Sequence, residues 1–580
     1  MPDDKSAPRD PYGRDTFTEA VGEAGAELGF EEDTYLRAYP DVAEAVERGD
    51  LRSGLEHYLH AGRAEQRLQR PEYGRQMAAD RAAMPVPVAP SPRSEIDAFI
   101  LSDSGALFLS GWSDDRHDPL VSVSIGAIRA PRRTWSRFAR MRRNDVVSVL
   151  PSSTRYHYGF WLFGGAEDPR RPHGMVAGVE CRIELRFTSG AIIDLRRAPS
   201  LSSDPDLRDH VMSHFASSEY WGNRVMEAFN GLDQGAGEQL ATYGRSLSYA
   251  VATRATAERF GPQRKRFRGS IVVPLLGIAD FLFLQACAYA AGPGIEDYEF
   301  IYVINSPELV ERLRREARIA QAIYGLAQTL VYLPGNAGCG PANDVAVQYA
   351  QSDRLLFIHP DVFPKDADWA KRHTAMLSSL PTQQTRLFGT TLYYGDGSLM
   401  HGGLQFESDL GIHVDPAGIV QQALIRVEHI GRGAPAGATQ FTTPRAVPAV
   451  SGAFISADRP WFEKLGGFSE DYMFGGDEDA DLCLRSLQAG GPVWLHDLRM
   501  WHLEGKGSRH LPQHEGAALL NRWQFARKWQ AMIVPDLLGP TPRHLLLHDD
   551  ADARPHLEQR RSPEPAMPLG KRSAARSRAR

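Results

Sequence analysis

The sequence lacks the paired cysteines that staple small secreted domains or hold a structural zinc ion. Its four cysteines, Cys181, Cys287, Cys339 and Cys483, stand far apart and form no CxxC motif. A disulfide framework and a zinc ribbon are therefore not expected, and the cysteine usage fits a reducing compartment.

Long apolar runs are also missing. A membrane-spanning helix needs roughly 18 apolar residues in succession, and no stretch of the sequence approaches that. Residues 1–12 are polar and do not contain the apolar core of a secretory signal. We therefore expect a cytoplasmic protein. Peripheral contact with the inner membrane is compatible with this expectation.

An overall basic charge, the usual mark of a nucleic-acid binder, is absent. The formal net charge is -6, and the hydrophobic and charged fractions of 42% and 24% are ordinary for soluble globular proteins. Arginine, proline and serine concentrate in residues 554–580, so residues 541–580 are predicted to be a disordered basic tail. This tail either only solvates the chain or attracts anionic lipids, at roughly 1 kcal/mol per basic residue.

The sequence before residue 268 is predicted to form several units that carry no catalytic residues. Helical spacing of apolar residues and strand alternation give a division into five segments. They are a disordered start (1–18), a small all-helical module (19–70), a Pro-rich linker (71–95, with MPVPVAPSP), a β-sandwich domain (96–200) and a helical connector (201–267). Trp112 and Trp161 of the β-sandwich are predicted to be core residues, with stacking on a sugar as the alternative.

From residue 268 onward, apolar strands alternate with helical segments. The strands are SIVVPLLG (270–277), YEFIYVINS (298–306), TLVYLPGN (329–336) and RLLFIHPDV (354–362). Strands that are apolar throughout, joined by helices, predict an α/β domain whose parallel sheet is covered on both faces. Ligands of such sheets bind beyond the carboxyl ends of the strands.

Two common phosphate-binding motifs are missing from these strand ends. No strand is followed by GxGxxG or by GxxxxGK[ST], which speaks against dinucleotide-binding and P-loop proteins. A nucleotidyltransferase would place a loop rich in glycine and arginine after the first strand, where this chain has PLLGIAD.

A series of motifs between residues 268 and 540 nevertheless resembles a known family. In order, they are PLLG, YVINSPE, NAGCGPAN, HPDVFP, VSGAFISADRPWFEKLGGFSEDYMFGGDEDADLCLRSLQAGG and WHLEGKGS. Their order and spacing are similar to those of family-2 glycosyltransferases of the GT-A fold, in particular bacterial rhamnosyltransferase-like members. The resemblance implies a GT-A nucleotide-diphospho-sugar transferase domain over 268–540, preceded by the helical module and the β-sandwich.

The resemblance also implies a site for a divalent cation, Mn²⁺ or Mg²⁺. Asp361 stands where the family has its DxD-type aspartate, and His502 where it has a second metal ligand. A hard cation neutralises the charge that a departing diphosphate gains. His359 departs from DxD and leaves the motif with one carboxylate. The simpler interpretations are that Asp361 caps a turn and that His502 is an ordinary core histidine.

The acidic cluster DEDADLCLR (477–485) matches the family segment that carries the catalytic base. The resemblance assigns the base to Asp479, and one base acting in one direct displacement inverts the anomeric carbon. Glu478 is predicted to assist or orient the base, and Asp481 to contact the acceptor. The alternative is a set of acids at a helix N-terminus, where the dipole favours each by about 0.3–1 kcal/mol.

Further site residues follow from the same match. The predicted donor-binding residues are Pro274, Asn305, Asn336, Asp361, Gly452 and Lys506, and the predicted acceptor-binding residues are Asp481, Gly467 and His429. For His429 and the nearby His401, an ordinary loop role is the alternative.

These observations predict an inverting glycosyltransferase. It would move a sugar from a nucleotide-diphosphate sugar to a hydroxyl of a glycan or lipid-linked glycan, in bacterial surface polysaccharide biosynthesis, with no nucleic-acid partner. The alternative is a catalytically silent glycan-binding or scaffolding protein that keeps the fold. His359 and the N-terminal modules favour that alternative, whereas Asp361, Asp479 and His502 favour the enzyme.

Overall fold

The computed structural model describes thirteen stretches of the chain. They are 30, 32–48, 51, 53–62, 93–128, 132–141, 143–149, 157–166, 174–216, 225–262, 266–414, 420–506 and 511–538. The predicted disordered start (1–18), the basic tail (541–580) and nearly all of the Pro-rich linker (71–95) lie outside the described residues.

The N-terminal part is a group of short helices around one tyrosine. The helices are α1 (Glu32–Ala38), α2 (Pro40–Glu47) and α3 (Gly54–His57), followed by a π-helical turn (Tyr58–Gly62). Pro40 begins α2, a position that needs no backbone N–H, and the Ser53 side chain caps α3 by accepting from the Glu56 N–H. Tyr35 is buried against the rings of Tyr39 and Tyr58.

Residues 94–202 form two sheets that share a core. The strands are β1 (Ser94–Ser102), β2 (Leu107–Ser113), β3 (Leu120–Ala127), β4 (Arg133–Trp135), β5 (Ala139–Met141), β6 (Gly159–Gly164), β7 (Cys181–Phe187), β8 (Ile192–Arg197) and β9 (Ser200–Ser202), with α4 (Asn144–Val149) between β5 and β6. One sheet has the order β5-β6-β2-β1-β9 and the other β4-β3-β7-β8. Buried apolar side chains of both sheets, among them Leu109 and Ile183, form a single cluster.

The next segment packs against the outer side of the first sheet. It contains α5 (Asp204–Phe215), α6 (Val225–Gly231), a π-helical turn (Leu232–Ala236) and α7 (Gly237–Ala252). Trp161 is 0% exposed and meets Phe215 edge-on at 4.8 Å between ring centroids. The prediction that Trp161 is a core residue is confirmed, whereas Trp112 is half-buried.

The connector is not helical to its end. Strand β10 (Thr256–Phe260) pairs antiparallel with residues 328–332, so the main sheet begins before residue 268. Its side chains are mostly exposed, as expected for an edge strand, and they carry no apolar pattern that would have predicted it. Glu258 helps to hold this edge strand in place, because it accepts from Arg314 and from the Tyr332 hydroxyl at 2.8 and 2.9 Å.

The rest of the chain builds the main sheet and its helices. The strands are β11 (Gly269–Leu275), β12 (Tyr298–Ile304), β13 (Ala327–Tyr332), β14 (Arg354–Ile358), β15 (Val362–Pro364), β16 (Leu387–Tyr393), β17 (Leu399–His401), β18 (Leu404–Val414), β19 (Val420–His429), β20 (Arg445–Ala446), β21 (Phe454–Asp458) and β22 (Trp494–His502). The helices are α8 (Asp280–Ala290), α9 (Val310–Tyr324), α10 (Cys339–Val347), α11 (Trp369–Ser379), α12 (Thr382–Thr385), α13 (Thr439–Thr442), α14 (Arg459–Leu465), α15 (Glu478–Gln488) and α16 (Pro512–Leu538).

The main sheet has the order β10-β13-β12-β11-β14-β21-β16-β22-β15, with β17 beside β16 and β20 beside β22. Strands β13, β12, β11 and β14 run parallel, which confirms the pairing predicted for the four apolar segments. Strand β21 then runs antiparallel to β14, and β18 and β19 form a separate hairpin.

Both faces of the parallel strands are buried, which explains why their sequences do not alternate. In β11, Ile271 and Val273 face a core formed with α8, α9 and α11. Val272 faces the opposite core, which extends through α10, α15 and α16 to the first N-terminal sheet. The described part of the chain is thus a mixed α/β structure with several sheets. None of its helices combines the length and apolar character needed to cross a bilayer.

Candidate functional site

The turn after strand β14 holds His359 and Asp361 in a fixed position. The Val362 N–H donates to the His359 carbonyl at 3.2 Å, which closes the turn. Gln285 of α8, fully buried, donates from Nε2 to the same carbonyl at 2.8 Å. Helix α8 therefore fixes the turn from the core side, because the buried Gln285 amide donates to this carbonyl.

Sheet register brings a third residue, His502, to this turn. Strand β15 pairs antiparallel with β22 so that Val362 lies opposite His502. His502 Nε2 is consequently 3.4 Å from Asp361 Oδ1. His359, Asp361 and His502 each offer a ligand atom within 4.8 Å of the others, and we call them the His-Asp-His cluster. His359, which departs from DxD, thus lies with the two predicted ligands.

The chemistry of this cluster suits a divalent transition metal. Burial lowers the pKa of His359 to about 4, so its imidazole is neutral, the form that binds metals. His502 turns Nδ1 towards Met400 Sδ at 2.9 Å, which leaves Nε2 on the side of Asp361. Two imidazoles and one carboxylate fit Mn²⁺ better than Mg²⁺, which prefers oxygen ligands throughout.

The loop after His502 adds two backbone contacts to Asp361. The Leu503 N–H donates to the Asp361 carbonyl at 3.0 Å, and the Lys506 N–H donates to Oδ2 at 3.2 Å. The Lys506 side chain is exposed. Its predicted donor contact is compatible with this position, and its backbone already helps to orient the aspartate.

A second group of acids lies on a backbone segment of unusual shape. Residues 474–479, here called the acidic segment, lead into helix α15. Phe474 and Asp477 have φ values of 62° and 67°, the left-handed region that non-glycine residues rarely adopt, and Gly475 and Gly476 lie between them. Each such non-glycine residue costs roughly 1–3 kcal/mol, so other contacts must hold the segment.

Asn521 of helix α16 supplies much of that support. Its side chain is 0% exposed, accepts from the Met473 N–H at 2.8 Å, and donates to the carbonyls of Met473 and Gly475 at 2.9 and 3.0 Å. The Cys339 N–H donates to the Phe474 carbonyl at 2.9 Å. Asn521 was not predicted, because it lies more than 40 residues downstream in an ordinary helical sequence.

Two backbone N–H groups fix the carboxylate of Asp479, one at each oxygen. Its Oδ2 accepts from the Gly452 N–H at 2.6 Å and its Oδ1 from the Ala480 N–H at 2.7 Å. A side chain at residue 452 would crowd it, since a Cβ there would lie 3.3 Å from the Asp479 Cβ. Burial raises the pKa of Asp479, while the two N–H groups partly offset this.

The neighbouring acids share this environment. Burial and the nearby Asp479 charge raise the pKa of Asp477 to about 7, and the same two causes raise that of Glu478. Glu478 is buried and accepts from the Gly476 N–H. Three crowded carboxyl groups cannot all ionise at the pH of free aspartate, so at least one can exchange a proton near neutrality.

Two consecutive residues connect the acidic segment to the His-Asp-His cluster. The Gly452 N–H binds Asp479, and the next carbonyl, that of Ala453, accepts from the His359 N–H at 3.1 Å. The predicted metal ligands and the predicted base therefore lie on either side of residues 452–453, beside the end of β14 in the main sheet. A separate cavity of about 340 Å³ between Gly292 and Ala327 lies near the starts of β12 and β13 and contains one carboxylate, Glu296.

Among the other predicted donor-binding residues, Asn305 needs correction. Its side chain is buried, donates to the Gly338 carbonyl at 3.1 Å and accepts from the Ala337 N–H at 3.1 Å. At 3% exposure, this amide holds the loop after β13 instead of facing a ligand. Pro274 and Asn336 are half-buried at the ends of β11 and β13, where a ligand could reach them.

Gly467, which is also predicted to contact the acceptor, lies in a tight turn. Its N–H donates to the Phe462 carbonyl at 3.1 Å, and its carbonyl accepts from Arg485 at 2.8 Å. With φ of 75° and Asp344 only 2.8 Å from the place of a Cβ, this position requires glycine for the turn itself. His429, the third predicted acceptor residue, is half-buried and pairs with His401.

Asp481 is a structural residue, and its predicted acceptor contact is wrong. Its side chain is 0% exposed and is surrounded by partners from helices α15 and α16 and from the loop before the acidic segment. They are Lys528 at 2.6 Å, Arg485 at 2.7 Å, Trp529 Nε1 at 2.9 Å and the Tyr472 hydroxyl at 3.1 Å. No acceptor can reach a carboxylate enclosed in this way, which instead joins α16 to α15.

Replacing Asp481 with asparagine is expected to lower the free energy of unfolding by about 3–5 kcal/mol, because Arg485 and Lys528 would lose their shared countercharge. Asp471→Asn is the control, since it removes a partly exposed pair with Arg245 that contributes about 0–1 kcal/mol. Thermal unfolding of the two variants measures the difference. Equal midpoints would contradict the structural role of Asp481.

Comparisons with known proteins give limited similarity. No family model and no curated protein matches the sequence. A solved structure of GalNAc-T7 with UDP, GalNAc and Mn²⁺ is similar at 16% identity with a TM-score of 0.33, over 47% of this chain. The chain spans about half of that protein, 51% of its length. The mannosyltransferase PcManGT from Pyrobaculum calidifontis, with GDP-Man and Mn²⁺, is similar at 14% identity with a TM-score of 0.29, over 58% of this chain and 90% of its own.

Proposed function

We propose that this protein is a metal-dependent, inverting glycosyltransferase that moves a sugar from a nucleotide-diphosphate sugar to a hydroxyl of a glycan acceptor. One observation carries the proposal. Gly452 binds the carboxylate of Asp479 while the adjacent Ala453 binds the backbone of His359, so two consecutive residues hold a candidate base and a candidate cation ligand. The motif series of residues 268–540, which resembles family-2 enzymes of the GT-A fold, supports the same function.

His359, Asp361 and His502 would hold the cation. When bound, a divalent ion supplies positive charge that neutralises the diphosphate of the donor. The chain itself prepares the site, because Gln285 and the N–H groups of residues 503 and 506 fix the turn and the aspartate. The histidine in place of the first DxD acid is thus an alternative ligand, which weakens the case for a silent scaffold.

Asp479 would act as the general base. Its carboxylate takes the proton of the acceptor hydroxyl while that oxygen attacks the anomeric carbon from the side opposite the leaving group. Binding by the Gly452 and Ala480 N–H groups aims the carboxylate. Burial raises its pKa, which strengthens it as a base. A single base acting in one displacement gives inversion.

The finer assignments are proposals of the same kind. Residues 268–540 would form the GT-A catalytic domain, with Pro274, Asn336, Gly452 and Lys506 near the donor and His429 near the acceptor. The acceptor would be a glycan or lipid-linked glycan of a bacterial surface polysaccharide. A cytoplasmic location with peripheral contact at the inner membrane fits the sequence.

A donor screen tests this function directly. The full chain is incubated with Mn²⁺, an oligosaccharide acceptor mixture and a panel of UDP-, GDP- and dTDP-sugars, and release of nucleoside diphosphate is measured. We expect release from one donor, suppressed by a chelator and restored by Mn²⁺, and a product of inverted anomeric configuration by NMR. Silence across the panel, together with no nucleotide-dependent thermal shift, would favour the glycan-binding scaffold.

Asn521→Asp is expected to lower kcat by about 10–100-fold. The substitution should shift the acidic segment, and a displaced Asp479 carboxylate is a much poorer base even though it is still present. Aspartate keeps the acceptor for the Met473 N–H but loses both donors to the carbonyls of Met473 and Gly475. The KM for the donor should change less than twofold. Steady-state kinetics separate the two constants.

Gln524→Ala is the matched control for Asn521. It lies on the same helix and removes one hydrogen bond, to the Asp471 carbonyl, outside the acidic segment. We expect kcat close to that of the unmodified protein. Equal losses in both variants would mean that helix α16 acts only on stability.

A further inference from the structure

Two histidines near the site form a pair that the mechanism above does not use. His401 ends strand β17 and His429 ends strand β19. Their Nδ1 atoms are 2.9 Å apart, and the rings meet at nearly a right angle, 80°. His401 is almost completely buried, at 1% exposure, whereas His429 is half-buried.

The protonation pattern of this pair follows from one backbone contact. The Ser451 N–H lies 3.3 Å from His401 Nε2, and because a backbone N–H only donates, Nε2 must accept and carries no proton. The proton of His401 is then on Nδ1, which donates to His429 Nδ1. That atom must accept in turn, so His429 carries its own proton on Nε2.

Neutral rings are required at both positions. A charged His401 would point an N–H at the Ser451 N–H, and a charged His429 would point one at His401. Burial lowers the pKa of His401, and the neighbouring His429, His502, Arg445 and Arg432 act in the same direction. Burial also lowers the pKa of His429 to about 4; Arg432 and His502 add to this and Glu504 opposes it.

The pair lies against both halves of the candidate site. Ser451, which binds His401, directly precedes the residue that binds Asp479. Met400, the residue before His401, contacts His502 through its sulfur atom. Within the described stretches of the chain, no side chain or backbone group accepts a hydrogen bond from His429 Nε2.

We propose that the Nε2–H of His429 donates a hydrogen bond to a hydroxyl oxygen of a saccharide ligand, and that His401 is the positioning residue that fixes this tautomer. The inference rests on the proposed function for the identity of the ligand, and it adds a single directed contact to the acceptor side. A neutral donor suits a hydroxyl better than a phosphate, which is bound best by charged donors. The charged guanidinium of Arg432, near the histidine pair, already binds Glu504 at 3.1 Å.

The tautomers are tested directly by long-range ¹H–¹⁵N NMR of the full chain labelled with ¹⁵N-histidine. Spectra of His401→Gln and His429→Gln assign the two rings. At pH 7 we expect His401 as the Nδ1–H form and His429 as the Nε2–H form. The opposite tautomer on either ring, or a protonated ring at pH 7, would overturn the inference.

Ligand contact is tested by adding neutral sugars to the same labelled sample. The probes are glucose, galactose, mannose, rhamnose and N-acetylglucosamine at millimolar concentration, with Mn²⁺ and nucleoside diphosphate present. A shift of the His429 Nε2 signal with at least one sugar supports the contact. No shift with any sugar, while Mn²⁺-dependent nucleotide binding persists, refutes the contact and leaves the transferase proposal in place.

Kinetics provide a second measurement with a conservative rescue. His429→Phe should raise the KM for the acceptor about tenfold and leave the KM for the donor and the Mn²⁺ affinity unchanged, whereas His429→Gln, which keeps an N–H donor, should recover most of the loss. His117→Phe, at an exposed position of the loop between β2 and β3, is the control. Equal acceptor KM in all three variants would contradict the contact. A sugar-dependent NMR shift without transfer from any donor would instead refute the transferase and keep the binding site.

Discussion

Asp479→Asn is expected to lower kcat by about 10²–10⁴-fold, the usual contribution of a positioned general base. The asparagine keeps the size of the side chain and an oxygen that can accept from the Gly452 N–H, so the local structure should persist. Donor binding should therefore stay within twofold of the unmodified protein. Initial rates of nucleoside diphosphate release and isothermal titration with the donor measure the two effects separately.

The control for this substitution is Asp471→Asn. Asp471 lies eight residues earlier and binds Arg245 away from the acidic segment, so its loss should leave kcat unchanged. Undiminished turnover in Asp479→Asn would remove this residue from the role of base and direct attention to Glu478.

The pH profile gives a further check on the same carboxylate. Burial raises the pKa of Asp479, so the basic form is lost at a higher pH than for a free aspartate of about 3.9. The acidic limb of kcat/KM should therefore lie above that value and disappear in Asp479→Asn. An acidic limb that stays in place would belong to another group.

Asp361→Ala is expected to abolish metal-dependent donor binding, a loss of at least about 100-fold in affinity, since two imidazoles alone would hold the cation without a countercharge. Titration of the variant with Mn²⁺ and nucleoside diphosphate measures this. A chelator added to the unmodified protein should reduce its affinity for nucleoside diphosphate to that of Asp361→Ala. The same chelator should not reduce the affinity of Asp361→Ala any further.

Asp368→Ala is the matched control for the cation site. Asp368 is exposed seven residues further along the chain and does not belong to the His-Asp-His cluster. Its affinity for nucleotide should equal that of the unmodified protein. If Asp361→Ala binds nucleotide equally well with Mn²⁺ present, the cluster is not the cation site.

The sequence predicts the parallel strands well because their apolar character reports burial on both faces. Ile271 and Val272 face different cores, and so neither position tolerates a polar residue. The turn after β14 positions Asp361, and the antiparallel partner of β15 brings His502 beside it. The family resemblance suggested both residues, but only the register shows that His359 belongs with them.

Other residues looked functional in the sequence but serve the structure. Asp481 and Asp479 are two positions apart in one acidic run, yet Lys528 and Trp529 of helix α16 enclose the former and leave the latter half-buried. Asn305 follows a strand as a ligand-binding residue would, but it holds the loop at Gly338. Contacts between residues so distant along the chain decide these roles, and no local pattern encodes them.

Helix α16 also has a consequence for how the protein reaches its working form. The strands of the main sheet precede this helix along the chain, so a ribosome releases them first. Until Asn521 arrives, the left-handed turn at Phe474 and Asp477 lacks three of its hydrogen bonds and should sample other shapes. The acidic segment would thus reach its final shape only when this late helix docks, after every strand of the main sheet has been synthesised.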